Sequence, residues 1–520
     1  MATKTPTLAR RYLFKLLANV ASVPVYLAME AILPRALGPR LYGDYSFATN
    51  LFTQLSAFLD MGTSTCFYNA LSRRQTEAGL VAFYLRVSLL VLGVSMAASA
   101  VICGVPQAGG ALMPDVPLWL APFAALWAFL TWWGRVLRSM NDAIGATVSS
   151  EMVRTVVSLA AVCVLCLLFV AEVLDIYTLF AQQYLMLGCT AAGYWIVTVR
   201  SGRGQWENGG RFTLALAPGR TRAYAREFFS YSNPLFVQAL LAFLMLTAER
   251  WLLQWFEGSA EQGFFALSQK VCMACFMFVS AMTPLLMREL SIAWGNKDLA
   301  AMGRIIDRFA PLLYVVAAYF SCFTMAEAPA IVQIFGGAEF AAAILPVQIM
   351  AIYPLHQAYC QLAGSVFHAS GKTWIPRNVQ LCELFYGLGT TFVLLAPASL
   401  HGLGLGAVGL ATKTVVVQMV TVNIYLWIAS RIVPLNFWRN LAHQFWSLGL
   451  LAGLAFLCRE ATVALGLGAL NSIPRFFVSG VCYTILLALV ALALPALLGL
   501  TRAEMRDLMD RVAGRFRNRG

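Results

Sequence analysis

The chain has 520 residues, of which 60% are hydrophobic and only 12% charged, with a mean hydropathy of +0.72 and a formal net charge of +13. That composition is far too apolar for a water-soluble domain and excludes water as the main solvent. Runs of about 20 apolar residues recur from end to end with short polar breaks, the length a helix needs to cross a bilayer.

The first apolar stretch, Tyr12 to Leu33, is long enough to span and has no small-residue cleavage site after it, so it reads as a transmembrane helix rather than a signal peptide. Apolar windows predict an all-α integral membrane protein with about fourteen spans: residues 12–34, 44–70, 79–103, 117–139, 149–170, 176–199, 228–252, 262–287, 309–326, 340–367, 377–397, 405–430, 441–458 and 476–499.

Charge orients these spans. With a cytoplasmic N-terminus, 28 of the 37 basic residues fall in inside segments, including Arg73, Arg74, Arg135, Arg138, six arginines from Arg200 to Arg226 and six more after Thr501. Only Arg35, Arg40, Arg250, Arg459 and Arg475 fall outside, so the positive-inside rule predicts cytoplasmic N- and C-termini. The net positive charge is therefore a mark of orientation, and nucleic acid is not an expected partner.

The organisation predicted is an N-terminal lobe of six helices (1–200) and a basic, Gly-rich cytoplasmic linker (201–227). A C-terminal lobe of six helices (228–430), two further spans (431–500) and a basic amphipathic tail (501–520) follow. The linker and the tail face anionic lipids, the tail through Met505, Leu508, Met509 and Val512 on one face. Outside loops are short, several carry acids such as Glu257, Glu261, Glu327 and Glu339, and none is large enough for an extracytoplasmic catalytic domain. The twelve cysteines are scattered singly in apolar runs and read as small packing residues.

A repeat appears at a constant offset of 220: Leu33, Gly38, Gly43 and Tyr45 align with Leu253, Gly258, Gly263 and Phe265. Both copies fall on the first outside turn of a half, six spans apart. An even number of spans makes the repeats parallel, and two facing bundles enclose a cleft suited to alternating access.

The stretch Leu33-Pro-Arg-Ala-Leu-Gly-Pro-Arg-Leu-Tyr-Gly-Asp-Tyr-Ser46, followed by Leu59-Asp-Met-Gly62, resembles the opening of the polysaccharide flippase family, in the superfamily that also holds multidrug and toxin extruders and the lipid II flippase. Glu249-Arg250, Gly263-Phe-Phe-Ala-Leu-Ser-Gln-Lys270, Thr283-Pro-Leu285, Phe335-Gly-Gly-Ala-Glu-Phe340 and Gly404-Leu-Gly-Ala-Val-Gly409 continue the likeness over residues 10 to 430. Where many relatives carry Asp-Arg at the end of the seventh span, this chain has Glu249-Arg250. The resemblance implies a bacterial inner-membrane flippase for undecaprenyl-diphosphate-linked oligosaccharide units of O-antigen, capsule or exopolysaccharide. Polysaccharide polymerase and assembly proteins are partners of the same kind.

A deep ionisable side chain is costly in hydrocarbon, so depth ranks the candidates. Lys270 in span eight and Lys413 in span twelve lie well inside the layer and are the first expected substrate cations. Arg86 and Arg154, nearer the cytoplasmic ends, either line the cavity or snorkel to the interface. Such cations pair with diphosphate oxygens. Glu30, Asp60 and Glu383 either couple an ion or balance charge, and His356 and His368 either relay protons or pack. Pro24, Pro34, Pro346 and Pro354 mark bends. No P-loop, zinc-ligand spacing or nucleophile elbow is present, so no cofactor, metal or enzymatic activity is expected. The rival functions are a cation-coupled multidrug exporter of the same superfamily, an O-antigen polymerase or ligase, and a scaffold for a polysaccharide assembly machine.

Overall fold

The computed structural model describes residues 8–201, 206, 218–280, 282–372, 374–465, 472–507 and 510. Every regular element among them is a helix. Most of the expected basic linker, at 202–205 and 207–217, and Leu508, Met509 and Val512 of the expected tail face lie outside the described residues.

The chain forms two compact units. The first comprises residues 1–263 and 395–404, the second 264–394 and 405–520. In the first, α1 runs Leu8–Asp60, α2 Thr63–Arg73, α3 Ala78–Gly104, α4 Pro106–Leu112, α5 Leu120–Ala143, α6 Thr147–Val170 and α7 Ile176–Ser201. Helix α8 runs Pro218–Ser280. The second unit continues with α9 Thr283–Gly295, α10 Leu299–Ala326, α11 Ala328–Phe335, α12 Ile344–Met350, α13 Tyr353–Ala369 and α14 Trp374–Leu395. It closes with α15 Gly406–Ser430, α16 Phe437–Ala464 and α17 Ser472–Ala493.

Among the described residues, nine helical stretches are long and apolar enough to cross a membrane: 78–104, 120–143, 147–170, 235–276, 299–326, 338–369, 406–430, 437–464 and 473–493. Helices α1, α7 and α14 also run where spans are predicted but are not among the nine. Lining and lipid-facing helices separate by burial. About 61% of the apolar window of α10 and 56% of that of α15 is buried, against 11% for α6 and for α17. Val156, Leu167 and Val170 on α6 stand 65%, 70% and 80% exposed, surface that hydrocarbon rather than water can cover.

Local chemistry sets the breaks. The two outside turns predicted at the repeat are each a single residue: Gly38 interrupts α1 with φ 69° and ψ 170°, and Gly258 interrupts α8 with φ 79° and ψ −171°. That region of backbone space is essentially open to glycine alone. The expected span of 340–367 is not one helix. A 3-10 turn at Ala338–Ala343 leads into α12, and Pro354 at the start of α13 initiates a new helix instead of bending an old one. Helix α10 starts ten residues before the predicted span, because Asp298 accepts the Ala301 amide at 2.7 Å and caps it. Outside the spans, the Thr178 amide and hydroxyl bond the Asp175 carboxylate at the head of α7 and hold it below its ordinary range.

The core of the first unit stacks Phe67 on Tyr84 at 4.3 Å, with Trp132 and Phe228 against the same ring. In the second, Tyr314 meets Tyr359 at 5.3 Å and donates to the Gln444 carbonyl, while Tyr319 and Tyr483 stack nearly parallel.

Candidate functional site

The second unit carries a polar seam among α9, α13, α14 and α15. Lys413 on α15 is only 3% exposed. Its Nζ and Cε lie 3.6 Å from where a Cβ would stand on Gly387 of α14, so the missing side chain there makes room for the ammonium stem. Glu383 lies four residues before Gly387 and therefore on the same face of α14. Glu383 is electrostatically coupled to Cys360 of α13, Tyr386 of α14 and Tyr425 of α15.

Amides and hydroxyls extend the seam. Gln418 donates to Gln357 at 2.6 Å, Tyr386 and Thr421 share a hydrogen bond of 2.6 Å, and the Thr283 hydroxyl donates to Gln361. A cation, a carboxylate and neutral hydrogen-bonding groups thus occupy one stretch of α13 to α15. Such an assembly is stable in a bilayer only if its members face one another or water.

The other predicted residues fall elsewhere. Lys270 is exposed on the part of α8 beyond Gly258. Arg154 is paired with Glu151 at 2.8 Å, and Arg138 binds the same carboxylate, which is 1% exposed. Arg86 donates to Thr221 at the start of α8 at 3.2 Å. Asp60 accepts the Ser64 amide at 3.0 Å, its hydroxyl at 2.7 Å, and the hydroxyls of Thr63 and Tyr84. It thereby caps α2 after the turn at Met61 and Gly62, both at positive φ. Glu30 is half-buried on α1 and is electrostatically coupled to Tyr45. His356 is buried and His368 exposed on α13.

Three features escaped prediction. Arg250, assigned to an outside turn, is 6% exposed and donates to Gln262 at 2.7 Å, while Gln262 donates back to the Arg250 carbonyl at 2.8 Å. Glu327, assigned to an outside loop, is 1% exposed, and neither of its carboxylate oxygens has a hydrogen-bond partner among the described residues. The repeat glycines also interlock. A Cβ on Gly43 would lie 1.7 Å from the Ser259 carbonyl oxygen, and one on Gly263 2.2 Å from that of Pro39. Residues 39 and 259, and 43 and 263, are equivalent in the repeat, so the two turns meet as a reciprocal pair, the signature of a local two-fold. Ser259 donates to Asp44 beside this contact, and Gln254 reaches the Pro114 carbonyl at 3.1 Å.

At the start of α8 a cavity of about 670 Å³ is lined by Asn69, Arg73, Arg74, Glu227, Ser230 and Tyr231. Arg74 binds Glu227 at 2.6 Å, and Tyr224, hydrogen-bonded to Glu77, has its phenol pushed up to about 12 by burial and then by that bond.

The chain shares its fold with solved structures of membrane transporters. A structure described as the lipid II flippase MurJ in an inward closed conformation is similar over 93% of this chain and 99% of that chain, with a TM-score of 0.66 and 11% identity. An inward-facing multidrug resistance transporter of the MATE family is similar over 81% of this chain and 98% of that chain, with a TM-score of 0.56 and 14% identity. No family model matches the sequence, and no curated protein matches it.

Proposed function

We propose that the chain is a flippase that carries undecaprenyl-diphosphate-linked oligosaccharide units across the bacterial inner membrane by alternating access, with both termini cytoplasmic. The observation that carries this reading is the extent of the fold match. The lipid II flippase is matched nearly end to end, whereas about a fifth of this chain finds no counterpart in the MATE transporter.

The site chemistry supports it. Lys413 supplies an embedded ammonium for a phosphate oxygen, and the amides and hydroxyls of the α13–α15 seam suit a hydroxyl-rich head group. The isoprenoid tail stays in lipid during the passage. Lys270, Arg86 and Arg154 guide the diphosphate, and Glu30, Asp60 and Glu383 balance the charge. The chain acts as a transporter and not an enzyme, with polysaccharide polymerase and assembly proteins downstream.

Deletion of the gene tests the proposal, with lipid-linked oligosaccharides measured by mass spectrometry beside surface polysaccharide. Accumulation of the complete lipid-linked unit with loss of surface polymer supports flipping; an unchanged glycolipid pool with intact polymer overturns it.

The second reading is a cation-coupled exporter of the same superfamily. Two carboxylates in the second unit, the half-buried Glu383 on the Lys413 face of α14 and the buried Glu327 at the end of α10, favour it, because an exporter of organic cations needs embedded acids. Extrusion of a cationic dye that depends on Glu383 would decide for it.

A further inference from the structure

A cavity of about 630 Å³ opens in the second unit where α10 and α16 begin and the chain leaves α17, among Arg304, Asp307, Arg308, Arg439, His443 and Trp446. The apolar stretches of α10 and α16 start at residues 299 and 437 and that of α17 ends at 493, so one end of three candidate spans surrounds the cavity. That places it at the level of lipid head groups. Trp446 at its wall and Trp438 one turn from the start of α16 are 41% and 73% exposed, as aromatics anchored at an interface are.

The walls are built in advance. His443 Nε2 bonds the Leu497 carbonyl at 3.0 Å, Gly499 packs on Pro311, and Trp446 meets the His443 ring edge-on at 5.6 Å. The carboxylate of Glu504 accepts the Thr501 amide and hydroxyl, each at 2.9 Å, and these bonds hold it below its ordinary range. That carboxylate is thus occupied in capping the chain after the turn.

The cations are not equally occupied. Arg439 binds Asp307 at 2.6 Å. Arg304 lies 3.7 Å from Asp298 and Arg308 3.9 Å from Glu504, both beyond hydrogen-bonding distance. Neither guanidinium of that pair donates a hydrogen bond to a described residue. Three guanidiniums face two lining carboxylates, with Asp298 beside Arg304 as a third, and the forks of Arg304 and Arg308 keep their donors off every described acceptor. The first turn of α16 is capped by Asn436, whose side chain accepts the Arg439 amide at 3.0 Å.

We propose that this cavity binds the phosphodiester of an anionic membrane phospholipid, with the forks of Arg304 and Arg308 on the phosphate oxygens and the acyl chains lying along α16 and α17. Guanidiniums take phosphate in a bidentate way, so two neighbouring forks without a hydrogen-bonded acceptor suit a phosphodiester. Basic pockets between spans at a membrane surface bind such head groups. The site is independent of the transported substrate.

Native mass spectrometry of the purified full-length chain tests it, with added phosphatidylglycerol, with phosphatidylcholine as the zwitterionic control, and with inorganic phosphate or undecaprenyl diphosphate as competitor. The wild type is expected to retain phosphatidylglycerol in preference to phosphatidylcholine. The double variant Arg304→Gln with Arg308→Gln should bind it at least about tenfold more weakly. Arg288→Gln, at an exposed position in the middle of α9, should not differ from wild type. The Arg304→Lys, Arg308→Lys pair keeps the charge but not the forks and should restore only part of the binding, which separates loss of the site from loss of fold. Equal retention of both lipids by the wild type, or undiminished phosphatidylglycerol binding by a folded double variant, overturns the proposal. Displacement by inorganic phosphate would make it a site for the free anion, and preferential displacement by undecaprenyl diphosphate would make it a station of the substrate; either result also overturns it.

Discussion

The two units treat their buried charges in opposite ways. In the first, several buried or half-buried charges are tied to a neighbour within a turn or across one helix contact: Asp60 caps α2, Glu151 holds Arg138 and Arg154, Arg86 holds Thr221, and Arg250 exchanges two hydrogen bonds with Gln262. In the second, Lys413 is buried on the face of α14 that carries Glu383, among amides and hydroxyls, and Glu327 is buried with both oxygens unbonded among the described residues. The first pattern is that of groups that hold helices in place. The second sets Lys413 in a polar seam and leaves Glu327 buried without a hydrogen bond among the described residues, an arrangement that helix packing alone does not require.

That contrast can be broken by mutation. The largest structural effect belongs to Gly43→Ala, because its methyl would stand 1.7 Å from the Ser259 carbonyl oxygen and cannot be accommodated without parting the two turns. Loss of folded protein in size-exclusion chromatography is expected, with Gly263→Ala similar. Glu151→Ala leaves Arg138 and Arg154 without their shared carboxylate, and removing one partner of a buried pair costs roughly 3 to 5 kcal/mol, here at the low end because both arginines are partly exposed. A lowered thermal midpoint in detergent with per-molecule transport preserved is expected; transport lost at full stability would move the first unit's charges into the functional class.

Lys413→Ala should behave the other way, with a midpoint at or above that of the wild type and transport lost. A destabilised Lys413→Ala that still transports would show that the seam is structural. Glu327→Gln gives the smallest effect on stability, within about 1 kcal/mol, since the amide removes only a charge that has no partner to lose.

How much was legible follows from the distance between partners. The repeat glycines could be matched at a fixed offset, and their shared positive φ follows from the residue type. The Asp60 cap is local, with its partners three and four residues on. The reciprocal packing of Gly43 with Ser259 and the hydrogen bond from Ser259 to Asp44 join residues more than two hundred apart, and nothing in local periodicity reports such a pair. Depth marks Arg154 as a buried cation, and its ion-pair partner Glu151 sits one turn earlier, a spacing visible in the sequence. Charge marks the ends of spans only where it is exposed: Arg250 is buried within α8 and Glu327 is buried between α10 and α11. Lys413 was found by depth, but the room that Gly387 gives it required the fold.

The central claim is that Lys413 serves the passage of a lipid-linked diphosphate head group. Its most direct test is a reconstituted assay in liposomes, with an undecaprenyl-diphosphate-linked oligosaccharide whose exposure in the outer leaflet is read by enzymatic trimming of the sugar. A flippase predicts rapid exposure of the sugar with the wild-type chain and a rate lower by roughly a hundredfold with folded Lys413→Ala, about two tenfold steps in barrier. Equal rates in the two chains, or no exposure of the sugar with the wild type while the same vesicles export a cationic dye, would contradict it.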